Sequence, residues 1–531
     1  MRPEHPPGTI PLLERQAASE ALKVVLVPHP SNDPNDPLNW NNWRKAFNYL
    51  LVLAATLASF TGIMIQPVLW PQMVEDMKMP ITAFQHGQSA NLAGLATGCA
   101  LFVPLTIKYG RRSTYIASVA VMAAGCWWTA RRTSYAEVIL TSIIIGWAGA
   151  INETVVQMTI ADLYFIHQRG RANAFYQLAV VAGGFLTPVA AGAQATAHGW
   201  RWCYYTLGIT QTILAIVFLF GYEETKYNRV SNGLPDLQSS VQLDGVKTSL
   251  DQDQDLKEGQ TDVQSEPGLA VSITEAEIPA PNTYWQRMRF VTTTPESLWR
   301  LFIAPVSVLF LPHVLFTAIQ YSSSICWLVL YSATSPIIFS APPYLFTASG
   351  LGNLLLGPLV GTIIGSAYAG ILSDRLVVWL AKRNHGVFEP EMRLHLLLPV
   401  YFAMGGGLII FGVTAAHGLH WIYPSIGGAL FGFGFSAMGD ITFTMVIDIY
   451  YELTAEAFVG VTFVRNAISI AMPFTVSPWL KNMGMANMFI VVGCLCFGIG
   501  MAYVPLLIYG KRIRTALGPR YYKLVEKRRF Y

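Results

Sequence analysis

Long apolar runs alternate with short polar segments along most of the chain. Between residues 46 and 510 there are twelve such runs, and each approaches or exceeds the roughly 20 apolar residues that a helix needs to cross a bilayer. The predicted spans are 46–70, 84–107, 113–131, 137–162, 173–195, 204–222, 311–335, 350–373, 395–415, 421–447, 456–479 and 486–510. The pattern predicts an all-α polytopic membrane protein with twelve transmembrane helices.

The apolar stretch from 300 to 345 is too long for a single span. Pro312, Pro336, Pro342 and Pro343 interrupt it, and a proline inside a helix removes a backbone hydrogen bond. We therefore expect a short interfacial helix before span 7 and an ordered loop after it.

An acidic, polar segment divides the spans six and six. Residues 223–299 are rich in Asp, Glu, Gln, Ser, Gly and Pro, and such a segment cannot bury enough apolar surface to offset the entropy of ordering. The predicted organisation is a cytoplasmic N-terminal segment 1–45, an N-terminal six-helix half 46–222, a disordered acidic cytoplasmic linker 223–299, a C-terminal six-helix half 300–510 and a basic cytoplasmic tail 511–531.

Lys and Arg residues concentrate at one end of the predicted bundle. They occur in the loops after spans 2, 4 and 8 and in the C-terminal tail, whereas the opposite loops hold fewer. Because short cytoplasmic loops carry the excess of basic residues, we expect both termini to be cytoplasmic. The first 45 residues lack the apolar core of a signal peptide, so we expect the first span to act as an uncleaved membrane signal. The expected location is the cell membrane, with an internal or vacuolar membrane as the alternative.

A glycine pattern recurs six spans apart. Span 2 carries Gly94-x-x-x-Gly98 and ends in the basic turn Lys108-Tyr-Gly-Arg-Arg112. Span 8 carries Gly357-x-x-x-Gly361-x-x-x-Gly365 and ends in Asp374-Arg375. Small residues four apart let helix backbones approach closely in lipid, and their recurrence indicates two pseudo-symmetric halves.

Composition narrows the classes of function. The chain is 53% hydrophobic and only 12% charged, against about 25% charged in an ordinary soluble domain, which excludes a soluble enzyme. No Walker, Gly-x-Ser-x-Gly or His-Glu-x-x-His motif occurs, and the six cysteines show no metal-ligand spacing. We expect no enzymatic activity, cofactor, metal or nucleic-acid partner. The partners are a small-molecule substrate and the bilayer, and the energy source is an ion gradient or the substrate's own gradient.

Polar side chains inside the spans are the candidate site, because burying them in lipid is costly. Glu153, near the centre of span 4, is the leading candidate for proton coupling or cation binding. Arg465 in span 11 requires a partner, for which Asp448, Glu452 or a lipid headgroup are the candidates. The proton-coupling or substrate-binding candidates are Glu153, Asn152, Gln157, Asp440, Asn91, Gln177 and Tyr321. A hydrogen bond within the bundle is the alternative role for each.

At several short motifs the sequence resembles the major facilitator superfamily, and more closely fungal members of its twelve-span drug:proton antiporter branch. In the family's order, these motifs are Asp36-Pro-Leu-Asn-Trp40, Lys108-Tyr-Gly-Arg-Arg112, Arg169-Gly-Arg-Ala-Asn173, Gly199-Trp-Arg-Trp202, Glu223-Glu-Thr-Lys-Tyr227, Pro390-Glu-Met-Arg-Leu394 and Asp448-Ile-Tyr450. The resemblance implies the major facilitator fold and alternating access. The expected gating or structural residues are Gly110, Arg111, Arg112, Asp374, Arg375, Gly184, Pro188, Asp448, Arg465 and Asn466.

Two positions depart from the family's pattern. Ile107 stands where the first inner loop usually has an aspartate, which affects latching of the first half. In span 5, Thr187 stands where a glycine usually precedes the proline of the antiporter signature, which weakens the inference of export. Pro188 itself frees a backbone carbonyl and bends a helix, so a hinge is expected there from the chemistry of proline alone.

The main hypothesis is a proton-coupled exporter of small amphipathic organic compounds, such as drug-like molecules or fungal secondary metabolites. One alternative is a proton-coupled importer of an organic cation such as a polyamine, since a buried carboxylate suits a cation equally well. A non-transporting membrane receptor is a further alternative. We expect the protein to be a monomer.

Overall fold

The computed structural model describes residues 6–11, 33–227, 282–293 and 297–529. The helices of the first half are α1 Asn42–Met64, α2 Gln66–Met77, α3 Ile81–Tyr109, α4 Arg111–Arg131, α5 Tyr135–Leu163, α6 Ile166–Val181, α7 Thr187–His198 and α8 Trp200–Gly221. The later helices are α9 Tyr284–Arg287, α10 Leu298–Leu309, α11 Pro312–Phe339, α12 Ala348–Leu354, α13 Leu356–Ala367, α14 Ser373–Arg383, α15 Leu397–Ala416, α16 Ile422–Ile449, α17 Thr454–Ser469, α18 Met472–Gly500 and α19 Tyr503–Arg529.

The described chain contains twelve membrane-crossing segments, as the sequence predicts. Ten helical stretches are long and apolar enough to cross a bilayer. The last stretch, Tyr451–Glu526, includes α17, α18 and most of α19, and it turns at Gly484, where φ is 72°. It therefore holds two crossings. The remaining crossing is α4, whose 21 residues carry their charges at the two ends.

Several helices extend beyond the predicted spans. Span 1 continues past Ile65 into α2, where Pro67 occupies the first turn. Span 8 continues through a π-helical segment, Tyr368–Leu372, into α14. The last crossing runs on as α19, whose C-terminal part is polar. A span predicted from apolar length ends at the first charged residues, whereas the backbone hydrogen bonds of the helix continue beyond the membrane into water. The helix expected before span 7 is present as α10.

The repeated glycines make equivalent close contacts in the two halves. A Cβ on Gly94 would lie 2.4 Å from the carbonyl oxygen of Ile143, so α3 and α5 touch backbone to backbone. A Cβ on Gly361 would lie 1.9 Å from the carbonyl oxygen of Ala429, which gives the same contact between α13 and α16. Such contacts replace the hydrophobic drive that lipid lacks, and they make each half one packed unit.

The N-terminal residues reach the C-terminal half. β1 Ile10–Pro11 pairs antiparallel with β2 Val387–Phe388, the one strand pair in the described chain. The buried Arg514 holds this region together: it donates to the Pro7 carbonyl over 2.6 Å and to the Glu391 carboxylate over 2.7 and 2.8 Å. A buried cation of this kind is tolerated because every side of it meets an acceptor.

The predicted disordered linker lies largely outside the described residues, which omit 228–281 and 294–296. Its described ends are ordered against the first half. Tyr284 donates its hydroxyl to the Phe220 carbonyl over 2.8 Å, and Thr292 donates its backbone N–H to the Tyr109 carbonyl over 2.9 Å. The order therefore reaches further into 223–299 than composition alone indicates.

We predict that Gly361→Ala lowers the apparent free energy of unfolding by about 1–3 kcal/mol, because its methyl group would overlap the Ala429 carbonyl. Unfolding in mixed detergent micelles measures the effect. Gly406→Ala is the matched control, since no atom of the described residues lies within 4 Å of a Cβ at that helical glycine. Equal stability of the two variants would contradict the close-contact interpretation.

Candidate functional site

A large cavity lies between the two halves and opens at one end of the bundle. Its volume is about 2130 Å³, and its walls come from α3, α5 and α6 on one side and from α10, α13, α16 and α17 on the other. Its mouth carries Arg111, Asp162, Arg169, Asp374 and Arg393. We call this end, which holds the loops after spans 2, 4 and 8, the basic end.

Contacts between the halves seal the opposite end. α7 crosses α12 where a Cβ on Gly192 would lie 2.3 Å from the carbonyl oxygen of Ala348. Beside this crossing, the backbone N–H of Ser349 donates to the hydroxyl of Thr196 over 3.1 Å. The cavity therefore has access from the basic end and is closed toward the other end.

An ion pair between the two halves lies beyond the deep end of the cavity. Nη2 of Arg465 on α17 is 2.5 Å from Oε2 of Glu153 on α5, and the side chains are 10% and 8% exposed. Asn466 donates its amide to the same carboxylate oxygen over 3.0 Å. Gln157, one helical turn from Glu153 toward the basic end, lines the cavity.

Three neighbours fix the position of this pair. The guanidinium of Arg465 lies 5.1 Å from the ring centroid of Tyr321, within cation–π range. Its Nε donates to the amide oxygen of Asn466 over 3.1 Å, and the amide nitrogen of Asn466 lies 3.9 Å from the Cys99 sulfur on α3. The candidates Glu153, Arg465, Asn466 and Tyr321 are thus brought together.

The expectation that Arg465 pairs with Asp448, Glu452 or a lipid headgroup is wrong. Its partner is Glu153, 312 positions away in the other half. Asp448 lies at the end of α16 and pairs with Arg393 over 2.8 Å. Asp448 and Glu452 lie close to Arg465 along the chain, whereas a contact between the halves joins residues that are remote in sequence.

Asp440 on α16 is a second acid in the site, and it lines the cavity wall. Side-chain hydrogen bonds from Ser366 and Ser436 reach its carboxyl, and these two hydroxyls are 2.6 Å apart. In contrast to Glu153, it forms no ion pair within the described chain. Gln157 and Gln177 line the opposite wall, as expected for cavity residues.

Asn152 and Asn91 lie away from the cavity. Asn152 donates to the Ser59 hydroxyl over 3.0 Å, and Asn91 donates to the Ser142 carbonyl over 3.0 Å. Consecutive helical residues point about 100° apart, so Asn152 faces the interior of its own half although it adjoins Glu153. The position of Asn152 fits the packing alternative, whereas Asn91 also borders a second, smaller cavity between the halves.

At the basic end of the first half, Glu224 caps α4. Its carboxylate accepts the backbone N–H groups of Arg111 over 3.0 Å and Arg112 over 3.2 Å, where a helix terminus is partly positive. Gly110, with φ of 108°, admits it, because a Cβ there would lie 2.2 Å from the carboxylate. Arg112 donates to carbonyls in the last turn of α8, and Arg111 pairs with Asp162 over 3.0 Å.

The equivalent turn of the second half is organised by Arg393. It pairs with Asp448, donates to the Ser373 hydroxyl over 2.8 Å and lies 3.2 Å from Asp374, whose side chain is 76% exposed. Arg375 is exposed. Asp374 and Asp448 therefore meet through one arginine, whereas Arg375 stands outside this group.

Span 5 is irregular where the hinge is expected. A π-helical segment, Ala182–Leu186, which contains Gly184, separates α6 from α7, and Pro188 lies in the first turn of α7. A Cβ on Gly183 would lie 2.6 Å from the Leu57 carbonyl oxygen, so the segment also packs tightly against α1. π-Bulges and prolines are recognised causes of helix bends.

Several residues of the site were not singled out in the sequence. Arg393 and Glu224 lie inside the quoted motifs Pro390-Glu-Met-Arg-Leu394 and Glu223-Glu-Thr-Lys-Tyr227, so a search for charged partners of the loops would have found them. Cys99 and Ser366 carry no comparable signal, since a small side chain in an apolar span does not disclose its neighbours.

Comparisons with known proteins agree with this architecture. The sequence profile of the Major Facilitator Superfamily matches residues 51–473. An uncharacterized MFS-type transporter of Schizosaccharomyces pombe is 29% identical, with 99% of this chain and 95% of that protein aligned. Protein HOL1 of Saccharomyces cerevisiae is 26% identical over 96% of each chain, and a multidrug transporter of Candida glabrata is 25% identical over 91% of this chain and 78% of its own length.

Solved structures are similar in fold. The crystal structure of a D-xylose-proton symporter superposes with a TM-score of 0.57 at 13% identity, covering 86% of this chain and 96% of the symporter.

We predict that Glu153→Gln and Arg465→Met each lower the apparent free energy of unfolding by about 3–5 kcal/mol, because each leaves a charge buried without a partner. The double variant should lose clearly less than the sum, as measured in mixed detergent micelles. Arg201→Met, at the more exposed pair with Asp76, is the control and should cost less than about 1 kcal/mol. Additive losses at 153 and 465 would contradict the pairing.

Proposed function

The chain belongs to the Major Facilitator Superfamily and is a membrane-embedded secondary transporter; we propose that it exports small amphipathic organic compounds in exchange for protons by alternating access. The observation that carries the proposal is the cavity between the halves, which is open at one end and separated from the other by a buried charge pair. Such a cavity fits one state of an alternating-access cycle.

The direction of opening follows from the distribution of charge. The cavity opens at the basic end, and basic loops favour the cytoplasm. We therefore assign an inward-open state to this conformation and place both termini on the cytoplasmic side of the cell membrane. An exporter in this state is ready to take up its cargo.

The cavity wall supports an amphipathic cargo. Its volume, about 2130 Å³, exceeds the roughly 300–1,000 Å³ of ordinary small-molecule pockets. The lining includes apolar and aromatic side chains such as Val103 and Phe443 together with the amides of Gln157 and Gln177. The similarity to a multidrug transporter points the same way.

Two carboxylates divide the proposed work. Asp440 lines the cavity, and among the described residues its carboxyl is held by hydroxyls and by no basic side chain, so it is the group best placed to take up a proton or meet a cationic cargo. Glu153 is neutralised by Arg465 and serves as the lock between the halves. A proton or cation that reaches Glu153 would compete with Arg465 and release the lock.

Import of an organic cation, such as a polyamine, is the second candidate. Asp440 favours it, because a cavity carboxyl that pairs with no basic side chain in the described part of the chain suits a bound cation as well as a proton. Flux in oriented vesicles separates the two candidates. An exporter that exchanges cargo for protons moves the cargo in the direction opposite to the proton flow, whereas a proton-coupled importer moves it in the same direction.

We predict that Asp440→Asn lowers accumulation driven by an imposed pH gradient at least about tenfold, because an amide cannot take up and release a proton as a carboxyl does. Labelled-compound flux in proteoliposomes measures the change, with tetraphenylphosphonium and a polyamine as probes. Asp76→Asn, at an exposed pair away from the cavity, is the control and should keep full flux. Gradient-driven flux that survives Asp440→Asn unchanged would contradict the proposed role.

A further inference from the structure

A group of side-chain amides lies between the halves on the sealed side of the molecule. Gln66 begins α2, and Gln85, Gln88 and Asn91 follow one another along α3. We call these four residues the amide seam. Ser332 of α11 and Ser477 of α18 face them from the C-terminal half.

Three of the four residues of the amide seam are buried, and the seam is incompletely hydrogen-bonded. Gln66, Gln85 and Asn91 are 7%, 2% and 6% exposed. Gln85 accepts the Ser477 hydroxyl over 2.7 Å, but its own Nε2, the Nε2 of Gln66 and the Oε1 of Gln88 have no partner among the described residues. Buried amide atoms without partners destabilise the state that buries them.

The seam encloses a small cavity that is lined from both halves. Its volume is about 30 Å³, which exceeds the roughly 10–15 Å³ that one water requires. Gln66, Gln88, Asn91 and Ser332 supply its polar lining. A polar space of this size at the contact between two bodies is a point where water can enter when they part.

Below the seam, an apolar layer separates it from the transport cavity. Leu92, Leu95 and Cys99 of α3 pack with Val329 of α11. Along α3 the order is therefore the amide seam, this apolar layer, the contact of Cys99 with Asn466, and finally Val103 in the cavity wall. One face of α3 thus follows the whole path between the two ends of the molecule.

We propose that the amide seam is the outer gate of the transport path and, once open, a binding surface for uncharged hydrogen-bonding groups of the cargo. The inference rests on the proposed alternating-access function and adds to it. In the sealed state the described residues leave three amide atoms without a partner and the cavity has room for only about two waters, whereas in the opened state bulk water or cargo supplies every partner. The seam therefore lowers the free energy that is needed to open the protein toward the side opposite the basic end. None of the described residues in its lining is ionisable, so they offer hydrogen bonds and no charge.

The chain contains a matched comparison for this effect. Gln211 on α8 is completely buried, and neither amide atom has a partner within the described residues. Its helix packs with helices of its own half, so it does not lie between the two bodies. Removing its amide should change stability without changing the gate.

The test uses a thiol reporter at Ser332→Cys, in a full-length protein whose exposed Cys494 is replaced by serine. A membrane-impermeant maleimide is added to proteoliposomes from the side opposite the basic end. We expect the reporter to react with the maleimide. The double variant Gln66→Leu and Gln88→Leu should slow labelling by about tenfold, because its sealed state no longer buries these unpaired amide atoms. Gln211→Leu should leave the rate unchanged.

A substitution with the opposite expected effect on labelling separates an effect on the gate from a loss of folded protein. Leu92→Gln adds an amide to the apolar layer that borders the seam, and it should raise the labelling rate by about tenfold. Two results would contradict the proposed gate: a labelling rate that neither the Gln66/Gln88 double variant nor Leu92→Gln changes, or a rate that falls equally in Gln211→Leu. Since labelling needs no cargo, absent flux with the expected labelling pattern would refute the proposed cargo and leave the gate standing.

Discussion

The buried ion pair between Glu153 and Arg465 is the constraint on which the arrangement of the halves depends. Each charge lies near the middle of a membrane crossing, where an unpaired charge costs several kcal/mol. Where the structure describes the chain, each of these charges finds its ionic partner in the opposite half and not in its own. The charges are neutralised together only while α5 and α17 touch, so electrostatics links the state of the pair to the relative position of the halves.

The ion pair can control the relative position of the halves because each half is rigid. The glycine contacts between α3 and α5 and between α13 and α16 bring backbones into direct contact, which leaves little freedom for the helices to slide within a half. Movement is then confined to the surface between the halves. Along that surface lie the cavity, the ion pair, the apolar layer and the amide seam, in that order from the basic end, so any rocking motion changes all four together.

The sequence predicts the fold almost completely and the site in part. Apolar length and spacing identify all twelve crossings, because lipid imposes helices of a known length. Glu153, Arg465 and Asn466 stand out singly, because charge and amide groups in a membrane helix are rare. Their contact with one another is not predictable, since it depends on how two halves meet. Asn152 illustrates the second limit: the rotation of a helix about its axis decides which of two adjacent polar residues faces the inter-half surface.

A distance measurement between the halves tests the central claim most directly. Nitroxide labels at the exposed positions Arg171 and Lys382 would report the separation of the two halves at the basic end, with Cys494 replaced by serine. The account predicts one population of long distances in the otherwise native protein and a second, shorter population in Glu153→Gln, because a broken pair lets the sealed side part and the basic end close. A distance distribution that stays the same when the pair is broken would contradict the claim that this ion pair holds the halves in the observed state.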